Sequence, residues 1–131
     1  MVDIFICEDD PQQRESLEKL IENYVLIEDL DMKLTLSTAE PQAILNHLHE
    51  NPKTVGLYFL DIDLQKEMTG IALGKEIRNH DVSGKIVFIT THGELMSLTF
   101  TYLIEAMDYI VKGTAFEDIK RKVTQCLDMV N

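Results

Sequence analysis

Val55-Gly56-Leu57-Tyr58-Phe59-Leu60-Asp61 is a nearly unbroken apolar run that stops on a carboxylate, and its continuity decides the fold. A strand with one wet face alternates polar and apolar residues. A strand covered on both faces reads as a continuous apolar run, as central strands of parallel sheets do. The flanking segments agree. Upstream, Glu40-Pro41 opens a helix carrying Ile44, Leu45 and Leu48; downstream, a helix follows Thr69-Gly70 with Leu73 and Ile77 on one face.

Farther out, Met32, Leu34 and Leu36 alternate with Lys33 and Thr35, which predicts a strand buried more on one side, at a sheet edge. Ile86 to Ile89 is a buried strand. The chain opens with a strand over Val2 to Cys7, then Asp10-Pro11, an N-cap with proline at the first helical position. Leu17, Leu20, Ile21 and Tyr24 form the apolar face of that helix. A helix from Gly93 to about Phe100, a short strand from Met107 to Val111 and an amphipathic helix carrying Phe116, Ile119, Val123, Leu127 and Val130 complete the series. The alternation is (βα)5. It predicts an α/β, doubly wound architecture: one open parallel sheet with helices on both faces.

The 131 residues suffice for one domain, and no repeat, linker or low-complexity stretch divides them. A net charge of −11 argues against a direct grip on nucleic acid, which needs clustered Lys and Arg. No segment approaches the roughly 20 apolar residues of a membrane span. The start, with Asp3 and then Glu8-Asp9-Asp10, does not read as a secretory signal, so a cytoplasmic location is expected. Cys7 and Cys126 sit among apolar residues and are expected reduced and buried. His47 and His49 point to different sides of a helix, and His80 and His92 stand alone, so no zinc site is expected.

In open sheets of this kind ligands bind beyond the carboxyl ends of the strands. The first strand ends in Glu8-Asp9, the third in Asp61, the fourth in Thr90 and the fifth in Lys112; the second ends in neutral Ser37-Thr38. Two like charges about 4 Å apart cost roughly 4 kcal/mol at an effective dielectric of 20, so three carboxylates on one rim call for a cation. Mg2+ suits a site with few carboxylates and a phosphate oxygen, and Lys112 adds a fixed positive charge. An ionised aspartate is a nucleophile toward phosphorus, and Asp61, ending the most continuous strand, is the candidate. Metal, Lys112 and the Thr90 hydroxyl would neutralise the transferred group's oxygens. Taken singly these signals are bland: acids after strands are often N-caps, and Asp10 is read as one. Their joint placement on the right strands favours a phosphoacceptor site.

With those residues placed, the chain resembles the receiver domains of two-component response regulators over essentially its whole length. The resemblance implies a flavodoxin-like fold with strand order 2-1-3-4-5. By position, Glu8 and Asp9 in Ile-Cys-Glu-Asp-Asp-Pro match the acidic pair that holds Mg2+, and Asp61 in Phe-Leu-Asp-Ile matches the phosphoacceptor. The backbone carbonyl of Asp63 matches the third metal contact, and Thr90 and Lys112 match the hydroxyl and lysine that bind the phosphoryl group. Tyr109 resembles the aromatic that turns inward with the threonine. Thr91-His92-Gly93-Glu94-Leu95 and Ala106-Met107-Asp108-Tyr109-Ile110-Val111-Lys112 look closest to the LytTR group, the accessory gene regulator and competence regulator type of quorum sensing. This chain departs from the pattern in three places: Gly113 stands where most receivers have proline, the loop after Asp61 is one residue longer with Gln65-Lys66-Glu67, and Glu8 replaces a more common aspartate.

The resemblance further implies a sensor histidine kinase as phosphoryl source and homodimerisation on phosphorylation. DNA would be reached only through a C-terminal LytTR domain absent from these residues, no membrane partner is implied, and the chain is no enzyme beyond assisting its own phosphorylation and dephosphorylation. Residues 1–131 are expected to be a fragment, a natural single-domain receiver being the alternative. Two enzyme readings compete. Glu8 with Asp61-Ile62-Asp63 resembles the Toprim metal site, but the charge of −11 opposes it and Thr90 and Lys112 go unused. Asp61-Ile62-Asp63 also resembles haloacid-dehalogenase phosphatases, whose metal acids follow the nucleophile instead of preceding it.

Overall fold

The computed structural model describes residues 1–64, 68–91, 105–113 and 115–131. Its elements run β1 (Val2–Cys7), α1 (Pro11–Ile27), β2 (Met32–Thr38), α2 (Pro41–Glu50), β3 (Gly56–Leu60), α3 (Gly70–His80), β4 (Lys85–Thr90), β5 (Asp108–Val111) and α4 (Phe116–Val130). The helix expected over Gly93 to Phe100, the Gln65-Lys66-Glu67 loop and His92 lie outside the described residues. The strands form one parallel sheet in the order β2-β1-β3-β4-β5.

The apolar runs divide between two cores because successive side chains of a strand point to opposite faces. Phe5, Tyr58, Leu60 and Phe88 pack with Ile44 and Leu48 of α2 and Leu73 and Ile77 of α3. Ile4, Ile6, Leu57, Phe59 and Val87 pack with Ile21 of α1 and Val123, Cys126 and Leu127 of α4. All five residues of β3 are buried, as a central strand requires. Both cysteines are buried thiols, and the His47 ring packs edge-on against Phe5 with centroids 5.3 Å apart.

At the sheet edge one expectation fails. Leu36 does not share a face with Met32 and Leu34: those two face the α1/α4 core, whereas Leu36 packs against the α2/α3 core. The cause is a β-bulge, since Ile4 pairs with Leu34 and Phe5 with Leu36, leaving Thr35 as the extra residue. The bulge inverts the pleat before Ser37 and Thr38 reach the rim.

Helix starts fix the loops that carry the site. Asp10 caps α1, its Oδ1 accepting from the Gln12 and Gln13 amides at 2.9 and 3.4 Å. Thr69 caps α3, its hydroxyl accepting from the Ala72 amide at 3.2 Å. Gly70 must be glycine: a Cβ there would lie 1.9 Å from the Asp61 carbonyl oxygen.

Candidate phosphoacceptor site

Just past the strand ends backbone bonds join neighbours, β1 to β2, β3 to β1 and β5 to β4, before any side chain is placed. The Glu8 amide donates to Thr38 O at 3.0 Å, the Asp61 amide to Cys7 O at 3.0 Å and the Lys112 amide to Thr90 O at 2.8 Å. The residues that follow each strand are thereby held at one rim. Even β2, which brings no charged side chain, contributes its Thr38 carbonyl.

At that rim Glu8, Asp9 and Asp61 each offer an oxygen within 4.8 Å of the others. The Lys112 ammonium donates to Asp61 Oδ2 at 2.8 Å and to Glu8 Oε1. Asp61 Oδ1 accepts the Asp63 amide at 3.0 Å, and Glu8 Oε2 accepts the Asp10 amide at 3.3 Å. Glu8 and Asp61 are buried at 5 and 7 % exposure, so these charges interact through little solvent. A cavity of about 460 Å³ between α1 and α4 opens against Glu8, Asp61 and Lys112, which keeps the buried carboxylates within reach of a small molecule.

The charges shift one another. Burial pushes the Glu8 carboxyl up to about 7, the hydrogen bond from Lys112 pulling it back and the Asp61 charge raising it again. Burial pulls the Lys112 ammonium down, but its bonds to Asp61 and Glu8 outweigh that and leave it above its usual value. The Cys7 thiol beneath the rim is pushed up to about 12 by burial and then by Glu8, Asp61 and Asp9, so it stays protonated and unreactive. Three carboxylates against one ammonium leave a charge of −2, and the donor set is all oxygen. Both properties fit a hard divalent cation.

Of the residues singled out from sequence, Glu8, Asp9, Asp61 and Lys112 converge. Asp63 is exposed, and its backbone is what meets Asp61. Thr90 is wholly buried at the end of β4. Tyr109 pairs with Phe88 in the β4/β5 register, its ring stacked on Phe88 at 5.9 Å. Thr90 and Phe88, two apart, face the same side of β4, so Thr90 lies one pleat above the Phe88–Tyr109 stack.

Sequence reading missed Arg14, whose guanidinium donates to the Glu8 carbonyl at 2.8 Å from the first turn of α1. The signal was available, since a helix beginning at the rim directs its first turn toward it.

The chain matches the family described as Response regulator receiver domain over residues 4–124. It belongs to that family. The receiver is 46% identical over 125 residues to Accessory gene regulator protein A of Staphylococcus aureus strain N315, a match covering 95% of this chain and 52% of that protein. It thus spans about half the length of the curated relatives it matches. Among solved structures, the response regulatory domain of mrkE from Klebsiella pneumoniae aligns with TM-score 0.75 and 27% identity, covering 98% of this receiver and 99% of that chain. Response regulator TrrA from Thermotoga maritima, in complex with Mg2+-BeF, aligns with TM-score 0.71 and 23% identity over 95% of this chain and 98% of that one, which is a likeness of fold. The Toprim-like and haloacid-dehalogenase-like readings find no support, because Glu8, Asp61 and Asp63 all fall within the receiver match.

Proposed function

We propose that this receiver is a phosphoacceptor switch in which Asp61 takes a phosphoryl group from a sensor histidine kinase. The reading is carried by one observation: the Lys112 ammonium bridges Glu8 and Asp61 with Asp9 alongside. Mg2+ would be held by Glu8, Asp9, Asp61 and the Asp63 carbonyl, and when bound it supplies positive charge to the phosphoryl oxygens. An Asp61 carboxylate oxygen forms the new O–P bond while the P–N bond to the kinase histidine breaks, the electron pair returning to the imidazole. Lys112 and the Thr90 hydroxyl hold phosphoryl oxygens, and Asp61 keeps its orientation through the Asp63 amide. No further catalytic group is needed, so the receiver assists its own phosphorylation and dephosphorylation without acting on a released substrate.

Thr90 sits one pleat above Tyr109, so movement of Thr90 toward a phosphoryl group would be relayed to Tyr109 and the β5/α4 surface. That surface would then pair two receivers. The 46% identity to Accessory gene regulator protein A supports a LytTR-type, quorum-sensing regulator of transcription, residues 1–131 being its receiver and a following domain contacting DNA. Among the described residues no helix is long and apolar enough to cross a membrane, which accords with a cytoplasmic regulator. The test is incubation with a small acyl phosphate and Mg2+, followed by intact-mass measurement. One added phosphoryl group, lost on hydroxylamine treatment and absent from Asp61→Asn, is expected; equal labelling of both proteins would overturn the reading.

A further inference from the structure

We propose that Arg14 is a positioning residue of the phosphoacceptor site, its guanidinium replacing a missing strand neighbour at the Glu8 carbonyl and so fixing the direction in which Glu8 and Asp9 present their carboxylates. The inference rests on the magnesium reading above and names what holds two of its ligands in place.

The sheet itself creates the need. In a parallel ladder a residue donates to one carbonyl of the neighbouring strand and accepts from the amide two residues farther on. The Glu8 amide donates to Thr38 O at 3.0 Å, so a continued ladder would fill the Glu8 carbonyl from the Glu40 amide. That amide is turned elsewhere. It donates to Thr38 Oγ1 at 2.9 Å, where the chain leaves β2 for α2. Glu8 is buried, and a buried carbonyl has to find a donor. Arg14 supplies it, Nη1 reaching Glu8 O at 2.8 Å.

Local chain geometry aims the guanidinium there. Pro11 begins α1, and the Arg14 amide closes the first helical turn on Asp10 O at 2.9 Å. Side chains on a helix lean toward its N-terminus, which in α1 faces the rim. Neighbouring acids are already engaged: Glu15 holds Lys19 at 2.9 Å, and Asp10 caps the helix through the Gln12 amide at 2.9 Å.

The consequence falls on the acids. The Glu8 carbonyl and the Asp9 amide belong to one planar peptide unit, so a bond that fixes the carbonyl also fixes the plane from which Asp9 departs. Beyond it, the Asp10 amide donates to Glu8 Oε2 at 3.3 Å and closes the loop on itself. Arg14 thus acts through the Glu8–Asp9 backbone on how both carboxylates meet Asp61.

The experiment measures Mg2+ binding by calorimetry, and amide hydrogen exchange without added metal, on wild type, Arg14→Ala and Arg14→Lys. Tyr58→Phe, which removes a buried hydrogen bond at the opposite end of the sheet, controls for lost stability alone. Arg14→Ala should bind Mg2+ about tenfold more weakly, the equivalent of one charge-assisted hydrogen bond, and its Glu8 and Asp10 amides should exchange faster by a similar factor. Arg14→Lys keeps a charged donor and should recover part of both losses, and added methylguanidinium should restore Mg2+ affinity to Arg14→Ala. The Mg2+ affinity of Tyr58→Phe should stay at the wild-type value. Wild-type affinity in Arg14→Ala, an equal loss in Tyr58→Phe, or a loss that neither lysine nor methylguanidinium relieves would each overturn the positioning role. A wild type that binds no Mg2+ would overturn the magnesium reading itself, and this role with it.

Discussion

The Tyr58 hydroxyl donates to Asp81 Oδ2 at 2.8 Å, closing a buried polar knot at the end of the sheet opposite Asp61. The same oxygen accepts the Gly56 amide at 2.8 Å, and Arg78 crosses the turn to the Val82 and Gly84 carbonyls at 2.9 and 2.7 Å. The knot joins the start of β3 to the turn between α3 and β4.

Removing one donor from a buried carboxylate leaves it partly unsatisfied, which costs about 1–3 kcal/mol. Tyr58→Phe should lower stability by that amount in urea denaturation while leaving Asp61 phosphorylation intact, because the knot and the rim sit at opposite strand ends. Burial, and then the bond to Asp81, raise the Tyr58 phenol above its usual value. In alkaline titration followed by phenolate absorbance, one of the four tyrosines should therefore ionise only as the protein unfolds.

Gly70 ties α3 to the backbone just after Asp61, its amide donating to Ile62 O at 3.0 Å. In Gly70→Ala the new Cβ would meet the Asp61 carbonyl at 1.9 Å, and neither backbone can yield without moving the carboxylate. We expect a loss of about 1–3 kcal/mol in thermal or urea unfolding, as for other overpacked sites, together with slower labelling by acyl phosphate. Unchanged labelling would show that Asp61 tolerates the displacement.

Gly113 has φ +94° with open space where a Cβ would go, so only backbone strain opposes a side chain there. Gly113→Ala should cost about 1 kcal/mol. Gly113→Pro should cost more, because proline fixes φ near −65°, far from the +94° held here, and the forced change of backbone path falls directly beside Lys112. Comparing urea midpoints with labelling rates separates the two effects.

What could be read in the sequence was whatever one strand or helix decides alone. The apolar run into Asp61 declared a central strand, and Asp10-Pro11 declared a cap, since both rest on local sterics and burial. The convergence of Glu8, Asp9, Asp61 and Lys112 followed from topology, all four lying just past strand ends of a parallel sheet. The bulge at Thr35 was not legible, because alternation presumes a regular pleat and the extra residue exists only relative to β1. Asp81 was equally hidden. A lone aspartate between helix and strand reads as a turn residue, and only packing shows that Tyr58, a core aromatic by sequence, carries its hydroxyl there.

Glu8 makes the site sensitive to pH near neutrality. Its carboxyl is pushed from 4.5 to about 7, so between those values the folded chain holds a proton that the unfolded chain has lost. Stability then falls as pH rises across that window, the reverse of the usual paired carboxylate. Metal binding runs the other way. Mg2+ needs the ionised carboxylate, so its apparent affinity should rise up to about tenfold per pH unit below 7 and level off above. Melting temperatures from about pH 5 to about pH 8 should therefore fall without Mg2+, while the stabilisation added by a fixed excess of Mg2+ grows. Glu8→Gln should flatten both trends, and a wild-type Mg2+ affinity that does not change over this range would show that Glu8 is not among the groups the metal must deprotonate.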